Sequence, residues 1–365
     1  MAIRTKVLII GGGPAGATAA SVLAQKGIDV VLIEKNLAFR KPCGGGIPSL
    51  AFEEFQIPRD QIKREVDAIT LVSPGDARVN VELKPNKLFI VDRGGFDTCL
   101  REKAGKCGAE LIEGRFINAE QEKKLYTSRI ITGDKELEIR SEYLIAADGV
   151  NSRVRLSQGI KLRPAIFTIS EKIHGVTAET CEFWFSSLHA PEFYSWVFPS
   201  SEGISIGTGS RNPQKIRRFF ETFRQRRMVN HSGGKTSMYS IPAWRGDLFR
   251  KGKIMFTGDS AGQVMPLSYE GIYCAMKSGE FAAEAALRGN PGLYEKLWKD
   301  KFYALFWLSA KIGSHFLQDD MKAEKFVSLL QRPELQKAGK DLWLLKDFRL
   351  KGRRNLVKLL GKLLI

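Results

Sequence analysis

The chain has 365 residues, 43% of them hydrophobic and 27% charged, which gives it the length for two domains and the composition of an ordinary globular protein. Its formal net charge of +17 suggests an anionic partner, but no nucleic-acid module accompanies the charge, so anionic lipid or a phosphorylated small molecule is expected and nucleic acid is not. Five cysteines without paired spacing argue against a disulfide framework and a zinc site, no signal peptide precedes the first strand, and no run of about 18 apolar residues suits a membrane span, so a cytoplasmic protein without a metal is expected.

The organising stretch is Val7 to Lys35, VLIIGGGPAGATAASVLAQKGIDVVLIEK. Val7 to Ile10 reads as a buried strand, Ala15 to Gln25 as a helix, and Val30 to Ile33 as a second strand with Glu34 at its end. Gly11, Gly13 and Gly16 place G-x-G-x-x-G at the strand-to-helix turn. Gly11 permits the tight turn, Gly13 lets a pyrophosphate approach the backbone, and Gly16 lets the helix pack closely on the strand. The helix N-terminus, which Pro14 opens without an N–H and Ala15 continues with one, then presents its free N–H groups to the phosphates. Glu34, followed by Lys35, is placed for a ribose hydroxyl, and its charge disfavours a 2′-phosphate. This is the signature of a dinucleotide site with its supporting elements in register.

Lys41 to Pro48, KPCGGGIP, is a loop with backbone freedom at Gly44 to Gly46, expected beside the bound cofactor. Cys43 is there either as a functional thiol near the reactive ring or as a small packing residue. Ala68 to Val81 suggests strands leaving the cofactor domain, Leu88 to Asp92 a strand, and Arg93 to Lys106 a helix with Arg93 in reach of a cofactor phosphate. Short strands are expected over Glu110 to Ile117, Leu125 to Thr132 and Glu136 to Arg140, with a turn at Gly133-Asp134. The apolar run from Tyr143 ends in Ala147-Asp148-Gly149.

Ile160 to Gly209 is aromatic and alternating. In PEFYSWVFP, Pro191 to Pro199, the rings of Tyr194, Trp196 and Phe198 are two apart and fall on one strand face, as sheet core or as an apolar pocket wall. Gly207 and Gly209 on the next strand leave space where a ligand would lie. Pro213 to Met228 reads as a basic helix, either a solvated face or a seat for an acidic redox partner. Ile254 to Thr257 is a strand ended by Gly258-Asp259, and a helix opening at Gly271-Ile272 directs its positive end at an anionic group. From Leu293 the chain is helical. Its end, Arg353 to Ile365, has leucines on one face and Arg354, Lys358 and Lys362 on another, suited equally to an anionic membrane surface and to docking on its own domain.

GGGPAG with Glu34, R-x-x-F-D-x-x-L at Arg93 to Leu100, ADG at Ala147 to Gly149 and GDSAG at Gly258 to Gly262 together resemble the flavoprotein hydroxylases of the p-hydroxybenzoate hydroxylase type. KPCGGG, P-x-x-Y-x-W-x-F-P and EGIYCAMKSG at Glu270 to Gly279 resemble, within that group, the geranylgeranyl reductase family. The resemblance spans roughly the first 290 residues. It implies an α/β fold: a Rossmann-like FAD-binding domain of the p-hydroxybenzoate hydroxylase/glutathione reductase type (residues 1–45, 91–158 and 252–290), an inserted antiparallel-sheet substrate domain (46–90 and 159–251) and a C-terminal helical region (291–365).

The resemblance further implies FAD as cofactor, held by the glycine turn with Glu34 and Lys35, by Cys43, Gly44 and Gly45, and by Arg93, Asp148, Gly149, Gly258, Asp259, Gly271 and Ile272. An isoprenoid chain would lie against Tyr194, Trp196, Phe198, Gly207 and Trp244, and a C=C bond would be saturated by hydride from the flavin and a proton from Cys43 or Tyr269. Relatives usually carry Gly where this chain has Tyr269. No second glycine signature marks a nicotinamide site, which leaves ferredoxin or a visiting reduced dinucleotide as donor. Rival readings within the fold are a monooxygenase, a halogenase, whose W-x-W-x-I-P is near YSWVFP, and a membrane-associated flavoprotein passing electrons to quinone.

Overall fold

Val7, Leu8, Ile9 and Ile10 are consecutive apolar residues and all four are buried, as a strand covered on both faces requires. In the computed structural model, which describes residues 2–228, 234–246 and 248–346, they belong to strand Ala2–Ile10 at the centre of a parallel sheet. Its parallel strands run in the order Ile254–Phe256, Lys135–Ala146, Ala2–Ile10, Val30–Glu34, Glu110–Glu113. Helices Pro14–Gln25, Arg93–Lys106 and Ile272–Leu287 cover the face that carries Val7 and Ile9. Leu8 and Ile10 face the other way, onto Phe116, Ala119, Tyr126 and Ile130 of the antiparallel strands Arg115–Glu122 and Leu125–Thr132. The strand carbonyl ends and helix N-termini therefore open at one edge, the ligand edge of such sheets.

Two strand boundaries differ from expectation. Glu110 to Ile117 is divided at Gly114, whose N–H donates to the Glu34 carbonyl at 2.8 Å and turns the chain from the parallel sheet into the antiparallel layer. The expected Glu136 to Arg140 and the run from Tyr143 form one strand, Lys135–Ala146. The polar stretch Arg140 to Glu142 hides this continuity in sequence. In the fold, pairing to Ala2–Ile10 extends from Glu138 to Ala146, across this stretch, and carries the strand through.

A second sheet of seven strands has the order Ser237–Pro242, Ala165–His174, Gly203–Ser210, Ser195–Pro199, Cys181–Trp184, Ala68–Val72, Arg78–Glu82. Its pairs are antiparallel except Cys181–Trp184 with Ala68–Val72. Helix Ile216–Arg226 buries Ile216, Phe220 and Phe223 beneath it. Three of the basic residues expected on a free face of this helix are engaged: Arg224 with Glu171, Arg226 with Asp76 and Arg227 with Glu182. A small third sheet, Gly46–Pro48, Leu88–Val91 and Ile62–Val66, joins the KPCGGG loop to the rest. Helical segments from Pro291 to Trp343 close the molecule, with Trp298, Phe302 and Phe306 in the main core. Among the described residues no helix is long and apolar enough to cross a membrane, and no cluster of His, Cys, Asp or Glu suits a metal ion. The amphipathic segment from Arg353 to Ile365 lies outside the described residues.

Candidate active site

The glycine turn is forced by close approach. Gly11 has φ +105°, and a Cβ there would lie 2.3 Å from the Ala147 carbonyl oxygen. A Cβ on Gly16 would meet the Gly11 carbonyl oxygen at 1.9 Å, so only glycine lets helix Pro14–Gln25 begin this close to the strand. Gly13 caps that helix without a side-chain bond, and nothing stands within 4 Å of where its Cβ would be. The N–H groups of the first turn thus face open space. Glu34 accepts from Gly12 N at 2.7 Å and Asn36 N at 3.1 Å, so its carboxylate also braces the turn.

Around this turn lies a cavity of 620 Å³. Gly11, Gly13, Pro14, Ala15, Glu34, Lys35, Cys43, Gly44, Gly45, Arg93, Asp148, Gly149, Gly258, Asp259, Gly271 and Ile272 all line it, while Gly16 is turned into the packing. Asp148 accepts from Val154 N at 3.0 Å through Oδ2, and its buried Oδ1 has no protein partner. Burial pushes its carboxyl pKa up. Asp259 Oδ2 pairs with Lys41 Nζ at 2.5 Å. Burial opposes the Lys41 charge, but Asp259, with Tyr239 beside it, outweighs burial and holds the pKa above its ordinary value. Arg93 is buried and fixed by Asp97 through two bonds, at 3.0 and 2.8 Å, and its third arm donates to Cys43 Sγ at 3.5 Å. Asp97 outweighs the burial of Arg93, whose pKa is raised. Cys43 Sγ also accepts from Gly45 N at 3.3 Å, so the thiol is oriented by two donors at the cavity wall.

The other end of the cavity is aromatic. Tyr194, Trp196, Phe198 and Tyr269 line it, joined by Phe183, Phe193 and Trp343. The Tyr194 hydroxyl donates to the Ser268 carbonyl at 2.6 Å, and burial raises its pKa. Tyr269 lies against Phe193 with ring centroids 4.2 Å apart, and burial pushes its pKa up to about 12.

Two expected substrate contacts are placed elsewhere. Gly207 pairs across the sheet with Trp196, whose ring occupies the space that the missing side chain leaves: a Cβ would lie 2.2 Å from it. Phe193 fills the space over Gly209 in the same way. The glycines make room for rings of the protein itself. Trp244 is outside the cavity wall and packs against Tyr303 and Phe306. Sequence reasoning missed Phe183 and Trp343, and quoted Lys41 and Glu270 without giving either a role. Phe183 was legible as one more ring in an alternating strand. Trp343 comes from a region without a motif.

The donor set fits a flavin dinucleotide: an open helix N-terminus, an orphaned buried carboxylate oxygen at Asp148, and a left-handed Gly149 with open space before it. Residues 4–279 match the family model described as FAD binding domain. Fold and site thus define an FAD-dependent oxidoreductase. Over 94% of this chain and 81% of the relative, 31% of residues are identical to geranylgeranyl diphosphate reductase, chloroplastic, of Arabidopsis thaliana. Identity is 30% to digeranylgeranylglycerophospholipid reductase of Methanosarcina acetivorans, over 80% of each chain. The crystal structure of a geranylgeranyl bacteriochlorophyll reductase-like protein from Thermoplasma acidophilum superposes with a TM-score of 0.85 over the full length of both chains, at 23% identity. The chain belongs to the geranylgeranyl reductase family of FAD-binding proteins.

Proposed function

We propose that the protein saturates carbon–carbon double bonds of a geranylgeranyl-type isoprenoid chain carried on a lipid, a chlorophyll precursor or a quinone. The observation that carries this reading is a single cavity whose one end is built for a dinucleotide and whose other end is walled by the rings of Phe183, Phe193, Tyr194, Trp196, Phe198 and Trp343. The names of the relatives support the substrate class.

FAD, when bound and reduced, supplies hydride to one carbon, and a proton must reach the other. An isolated alkene has no carbonyl to polarise, so position matters most. Tyr194, Trp196, Phe198 and Phe183 would hold the chain by burial, at about 25 cal/mol per Å² of apolar area. Gly11, Gly13, Pro14, Ala15 and the Gly271-Ile272 helix start would hold the phosphates, with Glu34 and Asp259 toward the sugar hydroxyls. Arg93 orients Cys43, and Cys43 or Tyr269 is the proton donor. The electron donor is ferredoxin or a reduced dinucleotide, and the chain docks peripherally on an anionic membrane surface, in keeping with its charge of +17.

The test is anaerobic. The flavin is reduced with dithionite, a geranylgeranyl lipid is added, and reoxidation is followed together with product mass. Reoxidation with gain of two hydrogens per turnover is expected. Reoxidation only by a quinone, or hydroxylation once oxygen enters, would replace the reading. If Cys43 donates the proton, Cys43→Ala keeps the yellow flavin and loses turnover, whereas unimpaired turnover rules that role out.

A further inference from the structure

Lys41 is the one charged residue of the KPCGGG motif, and it lines the cavity. Between strands Val30–Glu34 and Gly46–Pro48 the chain that carries it forms no helix or strand. This loop is tied near its start, where Leu37 N donates to Glu113 at 3.1 Å and the Leu37 carbonyl accepts from Arg101 at 2.7 Å. It is tied at its end, where the Gly45 carbonyl accepts from Val91 N at 3.0 Å. Midway, Lys41 Nζ pairs with Asp259 Oδ2 at 2.5 Å, with the two side chains 23% and 12% exposed. Asp259 stands in the turn Gly258–Ala261 that follows strand Ile254–Phe256 of the parallel sheet. Its other oxygen, Oδ1, is directed toward Gly271 and lies 3.7 Å from where a Cβ on that glycine would be. Lys41 Nζ also lies 4.9 Å from the centroid of the Tyr239 ring, on the edge strand Ser237–Pro242 of the second sheet. The lysine thus joins the loop to both sheets.

We propose that Lys41 is a positioning residue: through Asp259 it locks the KPCGGG loop over the cofactor end of the cavity, so that retention of FAD and placement of Cys43 depend on one ion pair. The inference rests on the FAD site and not on the isoprenoid reading. Cys43 is two residues from Lys41, and its thiol meets Arg93 and Gly45 N while the loop keeps this course. Gly44, Gly45 and Gly46 do not hold that course by themselves, since glycine has the widest backbone freedom of any residue. A lysine fixed at its tip removes that freedom. Charge acts in the same direction as geometry. Asp259 faces the start of helix Ile272–Leu287, whose N–H groups and dipole suit a phosphate of the dinucleotide. A carboxylate alone in that place would repel the phosphates, and the Lys41 charge offsets it. The lysine takes one carboxylate oxygen and leaves the other to a sugar hydroxyl, so lock and cofactor share Asp259 without competing for it.

The experiment follows the FAD-bound holoenzyme without turnover, so it stands whichever substrate the protein reduces. Release of FAD on dilution is read by the fluorescence of the freed flavin. Alkylation of each cysteine by iodoacetamide, at saturating FAD, is read by mass spectrometry. Lys41→Met is expected to raise the FAD dissociation constant and the alkylation rate of Cys43 each about tenfold or more, because it strands a desolvated carboxylate and frees the loop. Lys41→Arg, which keeps a charge for Asp259, is expected to restore most of both. Cys107, half-buried at the far end of helix Arg93–Lys106, is the internal reference, and its rate should stay unchanged. Asp259→Asn carries the test if Lys41→Met does not fold: it keeps the side-chain shape, removes the charge that holds the lysine, and should raise Cys43 alkylation in the same way. Either quantity unmoved by Lys41→Met, no recovery with arginine, a Cys43 rate unmoved by Asp259→Asn, or a rise at Cys107 equal to that at Cys43 would overturn the inference.

Discussion

Tyr269 carries two opposed local energies. Its φ of +51° lies in the left-handed region, which costs a residue with a Cβ roughly 1–2 kcal/mol. Its ring returns much of that through Phe193 at 4.2 Å and Tyr194 at 6.0 Å, where an aromatic pair contributes about 0.5–1.5 kcal/mol beyond burial. The strain explains why the resemblance puts glycine at this position, and the contacts explain how tyrosine is tolerated. Tyr269→Gly relieves that strain but gives up the ring's burial along with its contacts, so it is expected to cost about 1–3 kcal/mol, measured by urea unfolding of the flavin-bound protein. Its pKa of about 12 lies above the ordinary tyrosine value, so the folded state holds this proton more tightly than the unfolded chain. The associated stability is complete below about pH 10 and is lost as pH rises through 12. The hydroxyl thus stays protonated across neutral pH. A turnover profile with a limb between pH 6 and 9 that vanishes in Tyr269→Phe would contradict the assignment.

At the scale of elements, the aromatic strand is set by its neighbours as much as by its own rings. The Trp196 ring lies over Gly207 on the paired strand, and Phe198 packs into the space left by Gly44 of the KPCGGG loop, where a Cβ would come within 2.4 Å. Gly207→Ala must displace the Trp196 ring, an overpacking that costs roughly 1–3 kcal/mol. It is expected to lower isoprenoid turnover while flavin absorbance persists; equal loss of both would show general unfolding instead. The start of the strand is fastened by a polar ring. Arg226 can only donate, so His189 Nε2 accepts at 3.1 Å and Nδ1–H is left to face Ser195 Oγ at 2.8 Å. Ser195 donates to Thr208, which returns to the His189 carbonyl at 2.6 Å. Burial, then Arg226, pushes the His189 pKa down to about 3, against weaker opposite pulls from Asp320 and Asp76. The unfolded chain thus takes up a proton below about pH 6.5 that the folded state refuses, and stability falls by about 1.4 kcal/mol per pH unit from there toward pH 3. Between pH 7 and 5 the wild type should lose about 2 kcal/mol more than His189→Asn in urea unfolding. Parallel slopes would remove the histidine from the account. The rings at Tyr194, Trp196 and Phe198 were readable because a strand has period two. The meaning of Gly207 was not, since a glycine in sequence does not say whether a ligand or a neighbouring ring takes its space.

For the whole molecule, the parallel core was readable because its evidence is local: an apolar strand, a glycine turn, a helix and an acid follow one another within thirty-five residues or so. What closes the site was not, because Trp343 and Lys346 come to it from a C-terminal region whose own sequence resembles no motif. Lys346 Nζ meets Glu270 Oε2 at 2.5 Å, with the lysine side chain fully buried and the glutamate 6% exposed. Through its other oxygen Glu270 accepts from Tyr273 N at 2.9 Å and so anchors the first turn of helix Ile272–Leu287. One ion pair therefore ties the end of the described chain to the helix whose N-terminus faces the cofactor end of the cavity. Two desolvated charges add little net stability, but removing one strands the other, at a cost of about 3–5 kcal/mol. Lys346→Met is expected to lose that amount in urea unfolding, whereas the double variant Lys346→Met with Glu270→Gln should recover most of it, since the glutamine keeps an acceptor for Tyr273 N and leaves no charge behind. Because the pair fastens that helix, the single variant is also expected to loosen flavin binding more than the double one does. Additive effects of the two substitutions would mean that Lys346 and Glu270 act independently, and that the C-terminal helices are held over the cavity by their apolar contacts alone.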